Sequence, residues 1–271
     1  MAQKTNLNVS PYFDDFSEPS IGAKDKNYYK VLFQPGKPIQ TRELNTLQSI
    51  LQNQIESFGS HIFKEGSMVI PGNVTYDNQF HAVKVNSQQY GVDVSTYLQS
   101  FVGKTITGQA SGITATVQFV QLPNSDVEYA TLYVKYLNSD INYQINPFLD
   151  GENLVSNETV GAILAGTPFA TTIAINSTSI GSAASIDNGV YFIRGTFVSV
   201  PKQTILLDYY TNTPSYRVGL RVNEQIITEK DDSTLYDNSK GFTNYAAPGA
   251  HRFKISLTLT KKLLTDTILV N

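Results

Sequence analysis

From Ile62 onward, the apolar residues of this chain recur at every second position, in short runs separated by Gly, Pro, Asn, Asp and Ser. Such alternation sends successive side chains to opposite faces of an extended backbone and marks half-buried β-strands. It is seen in Met68-Val69-Ile70 before Pro71-Gly72, then from Val74 and Tyr76 through Phe80, Ala82, Val83 and Val85, a strand–turn–strand pattern. Stretches 189–198, 204–208, 216–222 and 253–259 continue it, and 228–250, crowded with turn-forming residues, reads as a loop. The expected fold is mainly β, with a sandwich- or barrel-like body.

One segment breaks the rule. Leu44, Leu47, Leu51, Ile55 and Phe58 are spaced three and four apart, which puts them in one stripe on an α-helix over about 41–58. Pro35-Gly36-Lys37-Pro38 supplies a turn before it. Thr41 is the expected N-cap, without a Glu at 44 to complete a capping box, and Gly59 is the expected stop. The opposite face carries Asn45, Gln48, Gln52, Asn53 and Glu56. The stripe is expected to pack on the chain's own sheet. A helix-to-helix seam between subunits is the alternative, and the uncharged amides beside the stripe permit it, since amides can pair across a symmetry axis.

The rest of the chain divides by composition. Residues 1–30 are polar, carry Pro11 and Pro19, and are punctuated by Tyr12, Phe13, Phe16, Tyr28 and Tyr29. They read as an extended arm whose aromatics dock on a neighbour or on the chain's own body. Residues 98–170 read as a small β-barrel module: a hairpin over 105–117 turning at Ser111-Gly112, a strand over 129–136, and a turn and strand over 148–155. Being continuous, this module is expected to be inserted between 31–97 and 171–271, which together form the main body with the helix.

Little in the sequence points to catalysis. With no cysteine among 271 residues, disulfides, thiolate metal sites and cysteine nucleophiles are all excluded. His61, His81 and His251 are far apart in sequence and form no metal-ligand spacing. No GxSxG elbow, Walker loop or GxGxxG turn occurs. Asp14-Asp15 and Asp231-Asp232 suit turns better than acid–base work, and Asp231, Asp232, Ser233, Asp237 and Asn238 are the nearest approach to a calcium loop, without EF-hand spacing. Net charge is −3 and only 16% of residues are charged, so a basic nucleic-acid footprint is absent. No run of 18 apolar residues occurs, so a membrane-spanning helix is not expected. No enzyme activity, cofactor or metal is expected, and neither nucleic acid nor membrane is an expected partner.

Several long segments resemble one family. They are Asn27-Tyr28-Tyr29-Lys30-Val31-Leu32-Phe33-Gln34-Pro35-Gly36 through Leu44, Leu47-Gln48-Ser49-Ile50-Leu51, Phe63-Lys64-Glu65-Gly66, Gly189-Val190-Tyr191-Phe192-Ile193-Arg194-Gly195, Pro214-Ser215-Tyr216-Arg217 and Asn244-Tyr245-Ala246-Ala247-Pro248-Gly249-Ala250-His251. Over about residues 5–262 the chain is similar to structural proteins of contractile-tailed bacteriophages, including phages of cyanobacteria. The resemblance implies a virion component of the tail or baseplate region, assembled in the host cytoplasm. Implied partners are other virion proteins (baseplate wedge, tail fibre or neck), with a homo-oligomer, by preference a trimer. Family members often continue past Lys261-Lys262 into fibre-like regions, so the resemblance implies, as an expectation, the particle-anchoring module or a short paralogue.

The functional expectation is a baseplate or tail-fibre connector acting through protein–protein interfaces, with Tyr28, Tyr29, Leu44, Leu47, Leu51, Ile55 and Phe58 as interface candidates. The alternatives are a receptor- or glycan-binding tail module, needing an exposed cluster of Tyr with Asn and Asp, and a polysaccharide depolymerase.

Overall fold

The structure is a computed structural model, described here for residues 5–16, 27–137 and 145–266. The expected mainly-β class holds. The one α-helix among these residues is α1 (Thr41–Ile62). It is followed by β1 (Met68–Ile70), β2 (Val74–Val85), the short pair β3 (Gln88–Gln89) and β4 (Val92–Asp93), β5 (Thr105–Gly108), β6 (Thr114–Gln121), β7 (Ala130–Tyr136) and β8 (Asn153–Ser156). Then come β9 (Pro168–Thr171), β10 (Thr178–Ile186), β11 (Gly189–Ile193), β12 (Thr196–Val200), β13 (Gln203–Asp208), β14 (Tyr216–Ile227) and β15 (Arg252–Leu263).

Eight strands form one antiparallel sheet in the order β13-β10-β2-β7-β6-β5-β8-β9. The long strand β2 joins its halves. Along most of its length it pairs with β10, and its C-terminal end, His81 to Val85, also pairs with β7. Residues 98–170 therefore supply β5–β9 to a sheet that continues through β2 and β10. Their core takes in Val83 and Val85 of β2, together with Leu98, Phe101, Ile106, Val117, Leu132, Leu154 and Phe169. The rings of Phe101 and Phe169 stack with centroids 3.9 Å apart. This half of the sheet curls until Thr172 meets Val85 in a single bridge, beside an Asn86 N–H to Thr171 carbonyl bond of 2.9 Å. One bridge is not a ladder, and the sheet stops short of the closed barrel expected for this segment.

Alternation predicted one strand over 189–198. Instead these residues form the hairpin β11–β12, with Gly189 opposite Val200 and Ile193 opposite Thr196. Arg194 and Gly195 at its turn both have positive φ, 48° and 75°, the conformation that matches the twist of a tight hairpin. With β1 this hairpin makes a three-stranded sheet.

The third unit is a two-stranded ribbon. β14 and β15 pair continuously from Tyr216–Leu263 to Ile227–Arg252. An isolated ribbon is marginal in water, and this one lays a face on a second core. Leu257 is buried there with Ile186, Tyr191, Ile193, Val198 and Val200, while Leu220, Val222, Ile255 and Leu259 pack around them. Burying an aliphatic side chain of this size contributes about 1.5–3 kcal/mol. The Gln203 amide fastens the ribbon further: its nitrogen donates to the Leu257 carbonyl (2.9 Å) and its oxygen accepts from the Leu259 N–H (2.8 Å).

Candidate interaction surface

Helix α1 is fastened by its polar side. Its N-cap lies one residue before the expected one. Gln40 is the N-cap, and its N–H donates to the Glu43 carboxylate at 2.9 Å, half of a capping box. It also runs past Gly59 to Ile62, where the Phe63 N–H closes the end on the Gly59 carbonyl. The buried helix residues are Thr46, Ile50 and Gly59. The N-terminal segment lies along this side. Asp15 N–H donates to Thr46 Oγ1 (2.8 Å), Ser49 Oγ donates to Asp14 Oδ2 (2.7 Å), and Asn45 Nδ2 donates to the Phe13 carbonyl (3.2 Å). Phe16 packs against Ile50. Farther along, Gln52 Nε2 donates to the Gly195 carbonyl at 2.9 Å.

Close approach narrows this side, on which Ile50 is the one large apolar side chain that is buried. A Cβ on Gly59 would stand 2.5 Å from the ring of Phe192, and a Cβ on Gly195 would stand 2.5 Å from Glu56 Cγ. The expected packing of the stripe on the chain's own sheet is therefore corrected: the stripe points outward. Leu44, Leu51, Ile55, Phe58 and Ile62 are 46, 57, 47, 68 and 55% exposed, and Leu47 is half-buried. Tyr28 and Tyr29 are exposed too, on the extended segment leading into the helix, as are Leu32, Phe33 and Ile39. Five of the seven interface candidates thus share one helix, and the two tyrosines lie on the segment that leads into it.

Beside the stripe runs a cleft of about 1090 Å³ between the N-terminal segment, α1, β12 and the ribbon. Asn6, Asn8, Asn45, Gln48 and Gln52 give it an amide-rich lining. At its floor, Arg194 Nη1 meets Glu224 Oε1 at 2.5 Å, both side chains largely buried. The Thr5 N–H also donates to Glu224, at 2.9 Å. Burial works against the ionised form of Glu224, but the hydrogen bonds from Thr5 and Arg194 outweigh it and hold its pKa below the ordinary value. The Tyr12 hydroxyl bonds His251 Nδ1, and His251 Nε2 faces Glu229 at 3.2 Å. The segment 5–16, α1, the β11–β12 turn and the ribbon are thereby tied together.

Elsewhere the polar residues serve the backbone. Asp231 accepts from Thr228, Asp232 from Thr234, and Asp237 from Ser239 and Asn244. Each holds a turn, and these bonds lower the pKa of each carboxyl. Among the described residues no group of three or more His, Cys, Asp or Glu is placed to hold a metal ion. Also among them, no helix is long and apolar enough to cross a membrane. In 98–170 Tyr133 and Tyr136 turn inward while Tyr129 is exposed: Tyr133 donates to the Tyr209 carbonyl and Tyr136 accepts from Phe148 N–H, and Tyr97, just before the segment, donates to the Phe169 carbonyl. Burial raises the Tyr136 pKa to about 12. Glu152, unremarked in the sequence, is buried and receives Ser111 N–H (3.0 Å), Ser111 Oγ–H (3.0 Å), Ala110 N–H (3.2 Å) and Leu149 N–H (2.6 Å).

Sequence reasoning missed Arg194 and Glu224, and it named Tyr12 and His251 without pairing them. Their contacts join positions far apart, 239 residues for Tyr12 and His251, so no local pattern announces them.

No curated protein and no solved structure matches the chain. A family model does: it covers residues 10–116 and 157–267, taking in α1, the β11–β12 hairpin and the ribbon, and passing over 117–156 in the curled half of the sheet. With most of its length matched, the chain belongs to DUF4815, a family defined as a domain of unknown function.

Proposed function

We propose that this DUF4815 chain is a structural component of a tailed-phage particle, a baseplate or tail-fibre connector that works through protein–protein interfaces and not by catalysis. The observation that carries the interface part is the outward stripe of α1. Monomeric proteins rarely expose contiguous apolar patches of more than a few hundred Å², whereas here Leu44, Leu51, Ile55, Phe58 and Ile62 all face solvent on one helix. The particle part rests on the resemblance of segments such as 27–44 and 244–255 to tail-associated proteins of contractile phages. In this reading the chain assembles in the host cytoplasm, and its partners are wedge, fibre or neck proteins together with further copies of itself.

Mass spectrometry of density-banded particles of the phage encoding the chain tests the reading. The expected result is the chain at a fixed ratio to tail proteins, with gold-labelled antibody at the tail end. Absence from infectious particles would contradict it.

A second reading, a receptor- or glycan-binding tail module, draws on the amide-rich cleft beside α1. Binding on a glycan array that Gln52→Ala and Asn45→Ala abolish would favour it over the first.

A further inference from the structure

We infer that α1 is a self-association seam, which pairs in parallel with the same helix of another copy of this chain. This deepens the interface reading by naming the occupant of the stripe.

The first ground is spacing. Leu44, Gln48, Leu51, Ile55, Phe58 and Ile62 follow one another at steps of four, three, four, three and four. This alternation of four and three repeats every seven residues, the heptad pattern of a coiled-coil seam. In heptad terms Gln48, Ile55 and Ile62 occupy a, and Leu44, Leu51 and Phe58 occupy d. All six are exposed.

The second ground is charge. The flanking e positions are Asn45, Gln52 and Gly59, and the g positions are Leu47, Gln54 and His61. Such flanks usually carry the Glu and Lys that choose a different partner. Here they hold no Asp, Glu, Lys or Arg, so two identical copies meet without like-charge repulsion.

Orientation follows from Gln48. In an antiparallel pair of copies centred on the seam from Leu44 to Ile62, position 48 would face Phe58, leaving a buried amide with no partner, which is costly. In a parallel pair Gln48 faces Gln48, and donor meets acceptor. A single polar residue at an a position fixes register in this way. β-branched Ile at a with Leu at d also suits two parallel strands. The helix has 22 residues and is roughly 33 Å long. Leu32, Phe33 and Ile39, exposed on the segment feeding its N-terminus, add surface toward the ~800 Å² per partner of a stable interface.

The chain has no cysteine, so single-cysteine variants of the full chain report the pairing without background. Gln48→Cys at the seam is compared with Ser60→Cys, exposed on the helix but outside the a and d positions. Under mild diamide oxidation Gln48→Cys is expected to convert mostly to a disulfide-linked dimer, at least tenfold faster than Ser60→Cys. Adding Ile55→Asp should remove that advantage while the circular dichroism spectrum stays unchanged. Equal rates for the two cysteines, or a Gln48→Cys rate insensitive to Ile55→Asp, would overturn the inference and give the stripe to a partner of different sequence. Presence of the chain in particles is read separately, so a failed seam and a failed particle assignment are distinguishable.

Discussion

Gly59 sits directly beneath the ring of Phe192, so close that a methyl group on its Cα would stand 2.5 Å from the ring edge. The contact sets the helix on the body. Phe192 is itself buried in β11 and has little room to yield, so a glycine inside a helix is kept despite its cost. Replacing Gly59 by Ala gains about 1 kcal/mol of helix propensity and loses about 1–3 kcal/mol by overpacking. The net expectation is a fall of about 1 kcal/mol in unfolding free energy, read by urea denaturation. Ser60→Ala, one residue on and exposed, should be neutral or slightly stabilising. A Gly59→Ala variant more stable than the parent would contradict the close approach.

Glu224 makes the attachment of the N-terminal segment pH-dependent. Its folded pKa lies below its ordinary value of 4.5. A carboxyl with a lowered folded pKa contributes stability that is fully present above the unfolded value and is lost as pH falls through the folded one. The segment 5–16 and the β11–β12 turn should therefore loosen from the ribbon as pH drops below 4.5, seen as faster amide exchange at Thr5 and Arg194. In Glu224→Gln the Arg194 guanidinium loses its counter-ion. The expected loss is about 2–3 kcal/mol at neutral pH, below the ~3–5 kcal/mol of a fully buried pair because Arg194 retains some exposure. The pH dependence in that window should shrink with it.

Glu152 organises the turn between β5 and β6. Its carboxylate collects four donors from two loops, and Gly108 leaves it room, since a Cβ there would lie 2.5 Å from its oxygen. Glu152→Ala strands the N–H groups of Ala110, Ser111 and Leu149. At about 1–3 kcal/mol for each unsatisfied buried group, and with water able to reach part of the loop, about 3 kcal/mol of stability should be lost. Glu152→Gln, which keeps one acceptor, should lose less. Equal stability of Glu152→Ala and the parent would contradict this role.

Much of the fold was legible because strands announce themselves locally. The alternation at 216–222 and 253–259 predicted the ribbon strands, and Ser111-Gly112 marked a true turn between β5 and β6. The existence of α1 was legible, but the direction it faces was not. An apolar stripe is ordinarily assigned to the chain's own core, and that rule takes for granted that the core is all the helix touches. The contrary signal lay on the other face, where Thr46, Ser49 and Gly59 are small enough for backbones to approach. The β11–β12 turn was missed because an arginine at its first position disguises a left-handed residue. The Arg194–Glu224 pair and the Glu152 cluster are long-range and leave no trace in spacing.

The account turns on α1 showing its apolar face to other copies of the chain. Sedimentation equilibrium of the parent and of a Leu51→Asp/Ile55→Asp double variant tests this most directly, with Ile50→Ala as the inward control. The predicted result is a concentration-dependent oligomer for the parent and a monomer for the double variant, whose unfolding free energy stays within about 0.5 kcal/mol, as for surface positions. Ile50, nearly buried, should instead lose about 2 kcal/mol or more when cut to Ala. A parent chain that stays monomeric at every concentration, or a double variant that unfolds as readily as Ile50→Ala, would contradict the account.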